Sequence, residues 1–352
     1  MKELLNKTIV ERGVVDAHHH MGTHEQRRQR DVGFWQWLKS SYLTQLVVPC
    51  GLTSDRLFGQ RDPTALDSLL DRTRATTHYQ CARLGLAAAF GYELNELRGD
   101  SWQDLDRLIR DATQTDDWSI ELLRREINLV DGVLDKHVGG TLVDAMTCGT
   151  HDWYRYITEM RPAREVADKS RRRDVDSRFT HASSKIDSLL YGHLPCARDE
   201  LDLFFGPTGR IDDLDAYIAY VGQAFARLEA DPHTVALKTA IGDVRRIHYP
   251  VVSAGQAALV FQNRTPQTVC DFENFMMHSI CDLAAQHRLV FQFHTGMGPN
   301  GLGGYIADDD ANPALLTSLI LEHPHTRFDL MHAGYPHWRE SAMMAARFPN
   351  VY

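Results

Sequence analysis

The sequence predicts an α/β fold, a (β/α)8 TIM-like barrel with a helical cap inserted after the first strand. Short apolar runs of strand length recur along the chain, and several end in a histidine or lysine close to a glycine. Segments with helical spacing separate the later runs, which is the pattern of βαβ units. An open doubly wound sheet has the same rhythm. A closed barrel is favoured because ligands from the first strand and from distant later strands converge more easily in it.

The first predicted strand begins at Val14 and closes with Asp16-Ala17-His18-His19-His20. Alternate side chains of a strand share a face, so His18 and His20 point the same way. Neutral imidazole is the commonest protein metal ligand, and a pair at the C-terminal end of a strand can hold a divalent cation at a barrel mouth. The alternative interpretation is a histidine-rich turn that follows a strand.

Three later apolar segments of strand length, between residues 234 and 336, also end near a potential metal ligand. These ligands are Lys238, His294 and His332. Taken singly, each residue is more typical of a core or surface position. Right-handed crossovers put the C-terminal ends of parallel strands on one side of the sheet. Four predicted strands each carry a histidine or lysine at the C-terminal end. This arrangement predicts a shared metal site.

The stretch 53–137 is predicted to be the helical cap or lid, because it is too long for an ordinary βα connection. Apolar residues recur at helical spacing in three of its segments, and Asp62, Ser101 and Asp116 are candidate N-caps. The predicted helices are 62–76, 101–114 and 118–134. The barrel domain is predicted to comprise 1–52 and 138–352, with a second strand at 140–147 and a third within 179–190.

Composition excludes several classes of protein. The 352 residues are 43% hydrophobic, and the formal net charge of -9 argues against a general nucleic-acid binder. No run of about 18 apolar residues is present, and the N-terminus lacks the apolar core of a signal peptide, so we expect a cytoplasmic protein without membrane contact. The six cysteines form no C-x-x-C pair and predict no disulfide framework. A nucleophilic Cys148 beside His151 is a minor alternative.

Together these residues resemble the amidohydrolase superfamily of metal-dependent (β/α)8-barrel enzymes. The run from Asp16 to His20 is similar to its first-strand H-x-H motif, and Lys238 falls where some members carry a metal-bridging, carboxylated lysine. His294 resembles the fifth-strand ligand and His332 the sixth-strand ligand. The sequences around His294 and His332 are most similar to the amidohydrolase-related branch that includes the domain fused to glutamine-synthetase-like proteins.

One feature of that family is missing from the sequence. Members usually carry an aspartate at the end of strand eight that binds metal and acts as general base. This sequence ends at Phe348-Pro349-Asn350-Val351-Tyr352, which corresponds to the start of strand seven. We therefore expect the C-terminal strands of the barrel to be absent from this chain.

The residue types and the resemblance imply one or two divalent metal ions, with zinc as first choice and manganese or iron as alternatives. A carboxylated Lys238 would bridge two ions, whereas an ammonium there would repel the second. His332 would be a ligand of the second ion or a proton carrier that faces the substrate. Catalysis is accordingly assigned to His332 and Lys238, and metal binding to His18, His20, Lys238, His294 and His332.

The candidate substrate-binding residues lie in the loops at the same end of the strands. These residues are His151, Trp153, Arg245, Arg246 and Tyr335. The two arginines would hold a substrate carboxylate by bidentate pairing. The alternative is that both are polar loop residues that face solvent.

The predicted function is hydrolysis of an amide, lactone or similar C–N or C–O bond in a small anionic molecule by metal-activated water. A non-oxidative decarboxylase on the same barrel is the closest alternative. A sugar-acid isomerase is a weaker one, because the sixth-strand histidine is not expected in isomerases of this superfamily. A non-catalytic binding or regulatory domain is the alternative of another class. The predicted partner is a small-molecule substrate, without nucleic acid, and a homo-oligomer is left open.

Overall fold

The computed structural model describes most of the chain, in segments separated by gaps. The described residues are 7, 11–28, 32–115, 117–136, 174–192, 195–243, 245–263, 265, 267–296 and 308–352. The predicted strand 140–147, the alternative nucleophile Cys148 and the predicted substrate contacts His151 and Trp153 lie outside these residues.

The described strands form a six-stranded sheet in which the strand order follows the chain order. They are β1 (Val14–His19), β2 (Leu129–Asp135), β3 (Thr180–Lys185), β4 (Thr234–Thr239), β5 (Val290–His294) and β6 (Arg327–Met331). Strands β3 to β6 pair in parallel. Val351 forms a parallel bridge to Phe328 of β6, where the sequence predicts the start of a seventh strand. Parallel neighbours in chain order with helices between them confirm the predicted α/β class.

Helices fill the connections between the strands. They are α1 (His24–Arg28), α2 (Phe34–Ser40), α3 (Pro63–Thr73), α4 (Thr77–Phe90), α5 (Trp102–Gln114), α6 (Trp118–Ile127), α7 (Asp187–Tyr191), α8 (Pro195–Phe205), α9 (Leu214–Ala230), α10 (Ala254–Gln262), α11 (Val269–Gln286), α12 (Thr317–Glu322) and α13 (Trp338–Arg347). Within the described part of the chain, none of these helices has the length and apolar character needed to cross a bilayer.

The chain divides into two compact units. The helical unit contains the described residues of 1–17 and 21–132. The barrel unit contains those of 18–20, 133–298 and 303–352. The cap boundaries at 53 and 137 that we infer from the sequence stay a prediction.

The helical unit has its own apolar core. Leu66 and Leu69 of α3 and Leu105 and Ile109 of α5 are almost completely buried, as the helical spacing of their apolar residues requires. Helix α3 begins as the sequence predicts, because Asp62 accepts a hydrogen bond from the Thr64 backbone N–H at 2.9 Å and Pro63 follows it.

One predicted helix is wrong at its C-terminal end. The helix predicted over 118–134 stops at Ile127, and Leu129–Asp135 forms strand β2 instead. Asn128 ends the helix in the left-handed conformation (φ 50°, ψ 48°), which asparagine tolerates, and its N–H donates to the Arg124 carbonyl at 3.0 Å. Helical spacing of the apolar residues continues past this point, which is why the sequence pattern hides the strand.

The core of the barrel unit lies between the sheet and the helices that follow its strands. Phe291, Phe293 and Phe328 are fully buried beneath Phe272 and Ile280 of α11. At about 25 cal/mol per Å² of buried apolar surface, side chains of this size dominate the stability of the unit. This packing fixes the strands whose C-terminal ends carry the site.

A row of polar residues crosses the barrel unit on one face of the sheet. Strand register aligns Lys185, Lys238, Gln292 and Asp329 across β3 to β6. Gln292 donates its Nε2–H to Asp329 Oδ2 at 2.9 Å, and burial raises the pKa of Asp329. Gln292 lies two residues before His294, the last residue of β5. This face of the sheet is therefore polar close to the C-terminal ends of its strands.

A buried ion pair joins the loop after β4 to helix α11. The Arg245 guanidinium donates to Glu273 Oε2 at 2.6 Å and to Asn274 Oδ1 at 2.8 Å. It also donates to the His248 carbonyl at 3.2 Å, and the side chains of Arg245 and Glu273 are 6% and 0% exposed. A charge held this way is costly to leave without its counterion.

We predict that Glu273→Gln destabilises the fold by about 3 kcal/mol, because it leaves the buried Arg245 charge uncompensated. The urea midpoint of unfolding measures the loss. Arg246→Gln is the matched control, since Arg246 forms an exposed ion pair with Asp310 at 3.3 Å and should cost less than about 1 kcal/mol. Equal midpoint shifts in the two variants would contradict the role given to the buried pair.

Candidate metal centre

The site begins with two histidines at the end of β1 and an aspartate at the end of β2. One ligand atom from each of His18, His20 and Asp135 lies within 4.8 Å of the others. The side chain of Asp135 is 5% exposed and that of His20 is 54% exposed, with His20 Nδ1 at 3.8 Å from Asp135 Oδ2. Two imidazoles and one carboxylate are a donor set typical of a catalytic zinc site, which keeps a further position open. These residues therefore fit a divalent cation.

The alternation of β1 turns the middle histidine away from this set. His19 Nε2 lies 2.8 Å from Thr180 Oγ1, and its ring stacks on Phe179. The hydrogen bond holds His19 against β3. The sequence prediction that His18 and His20 share one face and His19 takes the other agrees with this geometry.

Lys238 of β4 lies within the same cluster. Its Nζ is 2.9 Å from His18 Nε2 and 3.2 Å from Asp135 Oδ2, and the side chain is 6% exposed. Burial lowers the pKa of Lys238, and the Asp135 carboxylate opposes this effect. The amine therefore loses its proton more readily than an exposed lysine.

Two further histidines complete the cluster from β5 and the turn after β6. The ring centroids of His294 and His332 are 4.4 Å apart, and those of His18 and His332 are 5.9 Å apart. Burial, with a contribution from the Lys238 charge, lowers the pKa of His294 to about 3 and that of His18 to about 2. Both imidazoles are neutral at physiological pH, which is the form that binds a metal ion.

The backbone after β6 is strained where it presents His332. His332 and Ala333 have φ values of 63° and 50°, in the left-handed region that residues with a Cβ rarely adopt. Gly334 follows at φ 60°, where a Cβ would lie 2.5 Å from Ser341 Oγ. Such strain persists only where the surrounding structure imposes it, and it is concentrated at functional sites.

The structure thus brings together the five residues assigned to metal binding from the sequence, His18, His20, Lys238, His294 and His332. It adds Asp135, which follows directly after the helix predicted over 118–134 and lies within the predicted cap. A recognisable signal was present, because the apolar run from Leu129 also ends in a charged residue at the close of a strand. Recognising that run as a strand would have identified the carboxylate.

The predicted substrate contacts have different surroundings. Arg245 is engaged by Glu273 and Asn274 in the buried pair described above, a structural role that the sequence does not reveal. Arg246 is exposed beside Asp310, and Tyr335 is 61% exposed. Substrate binding by these residues stays a prediction.

The fold agrees with comparisons to known proteins. Residues 255–352, which include His294 and His332, match the sequence family described as Amidohydrolase. A stretch of 67 residues is 43% identical to protein fluG of Emericella nidulans, and covers 19% of this chain and 7% of that protein. The chain therefore spans only a small part of that relative. The predicted resemblance to the amidohydrolase superfamily is confirmed by the family match.

Solved structures resemble nearly the whole chain. Uronate isomerase from Thermotoga maritima is 15% identical with a TM-score of 0.66, over 99% of this chain and 77% of that one. Glucuronate isomerase from Caulobacter crescentus is 14% identical with a TM-score of 0.63, over 99% and 74%. A protein named as a metal-dependent hydrolase from Lactobacillus casei is 15% identical with a TM-score of 0.52, over 96% and 72%. At this identity the likeness shows the fold, which is that of a TIM-like α/β barrel.

We predict that the double variant His18→Ala/His20→Ala purifies without stoichiometric metal, because it removes both imidazoles of the donor set. Metal per chain is measured by inductively coupled plasma mass spectrometry. His325→Ala replaces an exposed histidine and should leave the content unchanged. Retained metal in the double variant would rule out this donor set.

The depressed pKa of His294 also predicts the acid sensitivity of the metal-free protein. The unfolded chain binds a proton as pH falls below about 6.5, and the folded chain does so only near 3. Stability contributed by neutral His294 is therefore complete above about pH 6.5 and is lost as pH falls toward 3, by at most about 1.4 kcal/mol per pH unit. We expect His294→Gln to flatten the dependence of the urea midpoint on pH between 6 and 4.5, and His325→Gln to leave it unchanged. Parallel curves for wild type and His294→Gln would contradict the burial of a neutral imidazole.

Proposed function

We propose that this chain is a metal-dependent hydrolase that cleaves an amide, lactone or similar C–N or C–O bond of a small anionic molecule. The observation that carries the proposal is the gathering of His18, His20 and Asp135 around one point, with Lys238 in hydrogen-bond contact with two of them. The family match over residues 255–352 supports the same reaction class.

His18, His20 and Asp135 would hold the ion, and nitrogen and oxygen donors of this kind suit zinc first and manganese or iron as alternatives. A divalent ion at such a donor set would lower the pKa of bound water to about 7 and would polarise a carbonyl oxygen. The Asp135 carboxylate is buried, and its Oδ2 lies 3.8 Å from His20 Nδ1. Neutral His18 offers a lone pair without a competing proton.

The chemical state of Lys238 would determine whether one or two ions bind. As an ammonium, 2.9 Å from His18 Nε2, it would repel a second cation. Carboxylation would join its amine nitrogen to carbon dioxide with loss of one proton, and the product is a carbamate with two oxygen donors. The lowered pKa of Lys238 favours the neutral amine that this reaction needs.

His332 and His294 supply the remaining chemistry. Their rings are 4.4 Å apart, and His332 also lies near His18. In a two-ion site they would serve as ligands of the second ion. In a one-ion site His332 would face the substrate and move a proton at the atom that becomes the leaving group.

A sugar-acid isomerase is the second candidate. The likeness to uronate isomerases extends over 99% of the chain, and so includes the helical unit as well as the barrel unit. Lys238 within the cluster favours hydrolysis, because a residue that can become a bridging carboxylate suits activation of water by two ions. A decarboxylase uses the same ligands and is separated by its product.

The test is a product analysis on the metal-loaded chain with N-acyl amino acids, lactones and uronates as substrates. Mass spectrometry distinguishes the classes, because hydrolysis adds one water, isomerisation leaves the mass unchanged and decarboxylation removes carbon dioxide. We expect addition of water, and a loss of about 100-fold or more in kcat/KM for His332→Ala. His325→Ala is the control. A uronate converted at unchanged mass would replace hydrolase by isomerase, and release of carbon dioxide would replace it by decarboxylase.

A further inference from the structure

A second pocket lies within the helical unit and is built from residues that the metal centre does not use. It has a volume of about 330 Å³ and is bounded by α2, α5 and the turn before α3. Trp35, Phe58 and Trp102 form its apolar wall, and Lys39, Arg61, Asp106 and Arg110 supply its charged groups. The volume is at the lower end of the range for small-molecule sites.

The charges in this pocket do not balance. Arg110 Nε is 2.7 Å from Asp106 Oδ2, and Asp106 Oδ1 also accepts the Phe34 backbone N–H at 2.7 Å. That carboxylate is therefore committed to Arg110 and to the start of α2. Lys39 and Arg61 form no ion pair with any carboxylate in the described part of the chain. In a chain with a net charge of -9, two such cations at one concave surface indicate an anionic ligand.

The aromatic wall supplies a second, independent observation. The rings of Trp35 and Trp102 meet edge to face with centroids 5.5 Å apart, and the Arg61 guanidinium lies 5.9 Å from the Trp35 ring. Trp35 is only 8% exposed, and among the residues described here its indole Nε1–H meets no acceptor. The two indoles therefore form the apolar part of the pocket wall.

The backbone around the pocket is specialised as well. A Cβ at Gly33 would overlap Asp106 Oδ1 and lie 2.6 Å from the Arg110 guanidinium, so a side chain at this position would displace the ion pair from where it lines the pocket. Arg61 has a φ of 52°, a conformation that costs free energy for any residue with a Cβ. Strain at a cationic side chain that lines a pocket is typical of a ligand clamp.

We propose that this pocket binds a small aromatic carboxylate. The flat ring would lie against Trp35 and Trp102, and the carboxylate would meet Lys39 and Arg61 by charge-assisted hydrogen bonds. The inference is independent of the reaction proposed for the metal centre. It defines a second ligand site in the helical unit.

Isothermal titration calorimetry on the full chain with 2-naphthoate and its uncharged amide, 2-naphthamide, tests the proposal. We expect 2-naphthoate to bind at least about tenfold more tightly than the amide. The double variant Lys39→Gln/Arg61→Asn should abolish this preference, and asparagine tolerates the left-handed backbone at position 61. Arg74→Gln, which removes a surface arginine paired with Asp71 at 2.9 Å, should bind as the wild type does.

The metal centre could also attract a carboxylate, and one further variant separates the two sites. His18→Ala/His20→Ala should keep the affinity for 2-naphthoate, because the pocket contains neither histidine. Loss of binding in that variant would overturn the proposal, as would equal affinity for acid and amide. Unchanged binding by Lys39→Gln/Arg61→Asn, or the absence of any binding to the folded wild type, would overturn it too.

Discussion

The removal of water from the ends of the parallel strands is the constraint on which the candidate centre depends. Desolvation is the largest cause of the lowered pKa values of His18, His294 and Lys238. In water these groups would carry protons at least part of the time, and like charges at these distances would repel each other. Burial makes the neutral imidazole the stable form of His18 and His294, so both present lone pairs to the site, and it lowers the pKa of Lys238. Neutral imidazole lone pairs of this kind bind a metal cation.

The sheet supplies that environment through its regular geometry. Parallel strands in chain order bring their C-terminal ends to one edge, and each of β1, β2, β4 and β5 delivers its polar residue there. Lys238 is also in register with Lys185, Gln292 and Asp329, so a row of polar residues runs from it across β3 to β6. Apolar residues of α11, β5 and β6 share one buried core, which positions the strands that lead to His294 and His332. Fold stability and site geometry thus rest on the same contacts.

The strands with a clear hydrophobic pattern could be predicted from the sequence, whereas the features that depend on long-range contacts could not. The two-residue spacing of His18 and His20 is local information, and the strand-end positions of His294 and Lys238 follow from apolar runs. Asp135 was missed because a continuous apolar spacing extends the pattern of α6 into β2, and only the left-handed Asn128 breaks it. The partnership of Arg245 with Glu273 joins residues 28 positions apart through tertiary packing. The pocket between α2 and α5 likewise joins Trp35 to Trp102 across a fold that no local pattern encodes.

The most direct test of the central claim is anomalous X-ray diffraction from crystals of the metal-loaded protein, recorded at the absorption edge of the bound metal. We expect a peak about 2.0–2.2 Å from nitrogen atoms of His18 and His20 and from an oxygen of Asp135. A well-ordered cluster without a peak, or a peak coordinated by other residues, would contradict it.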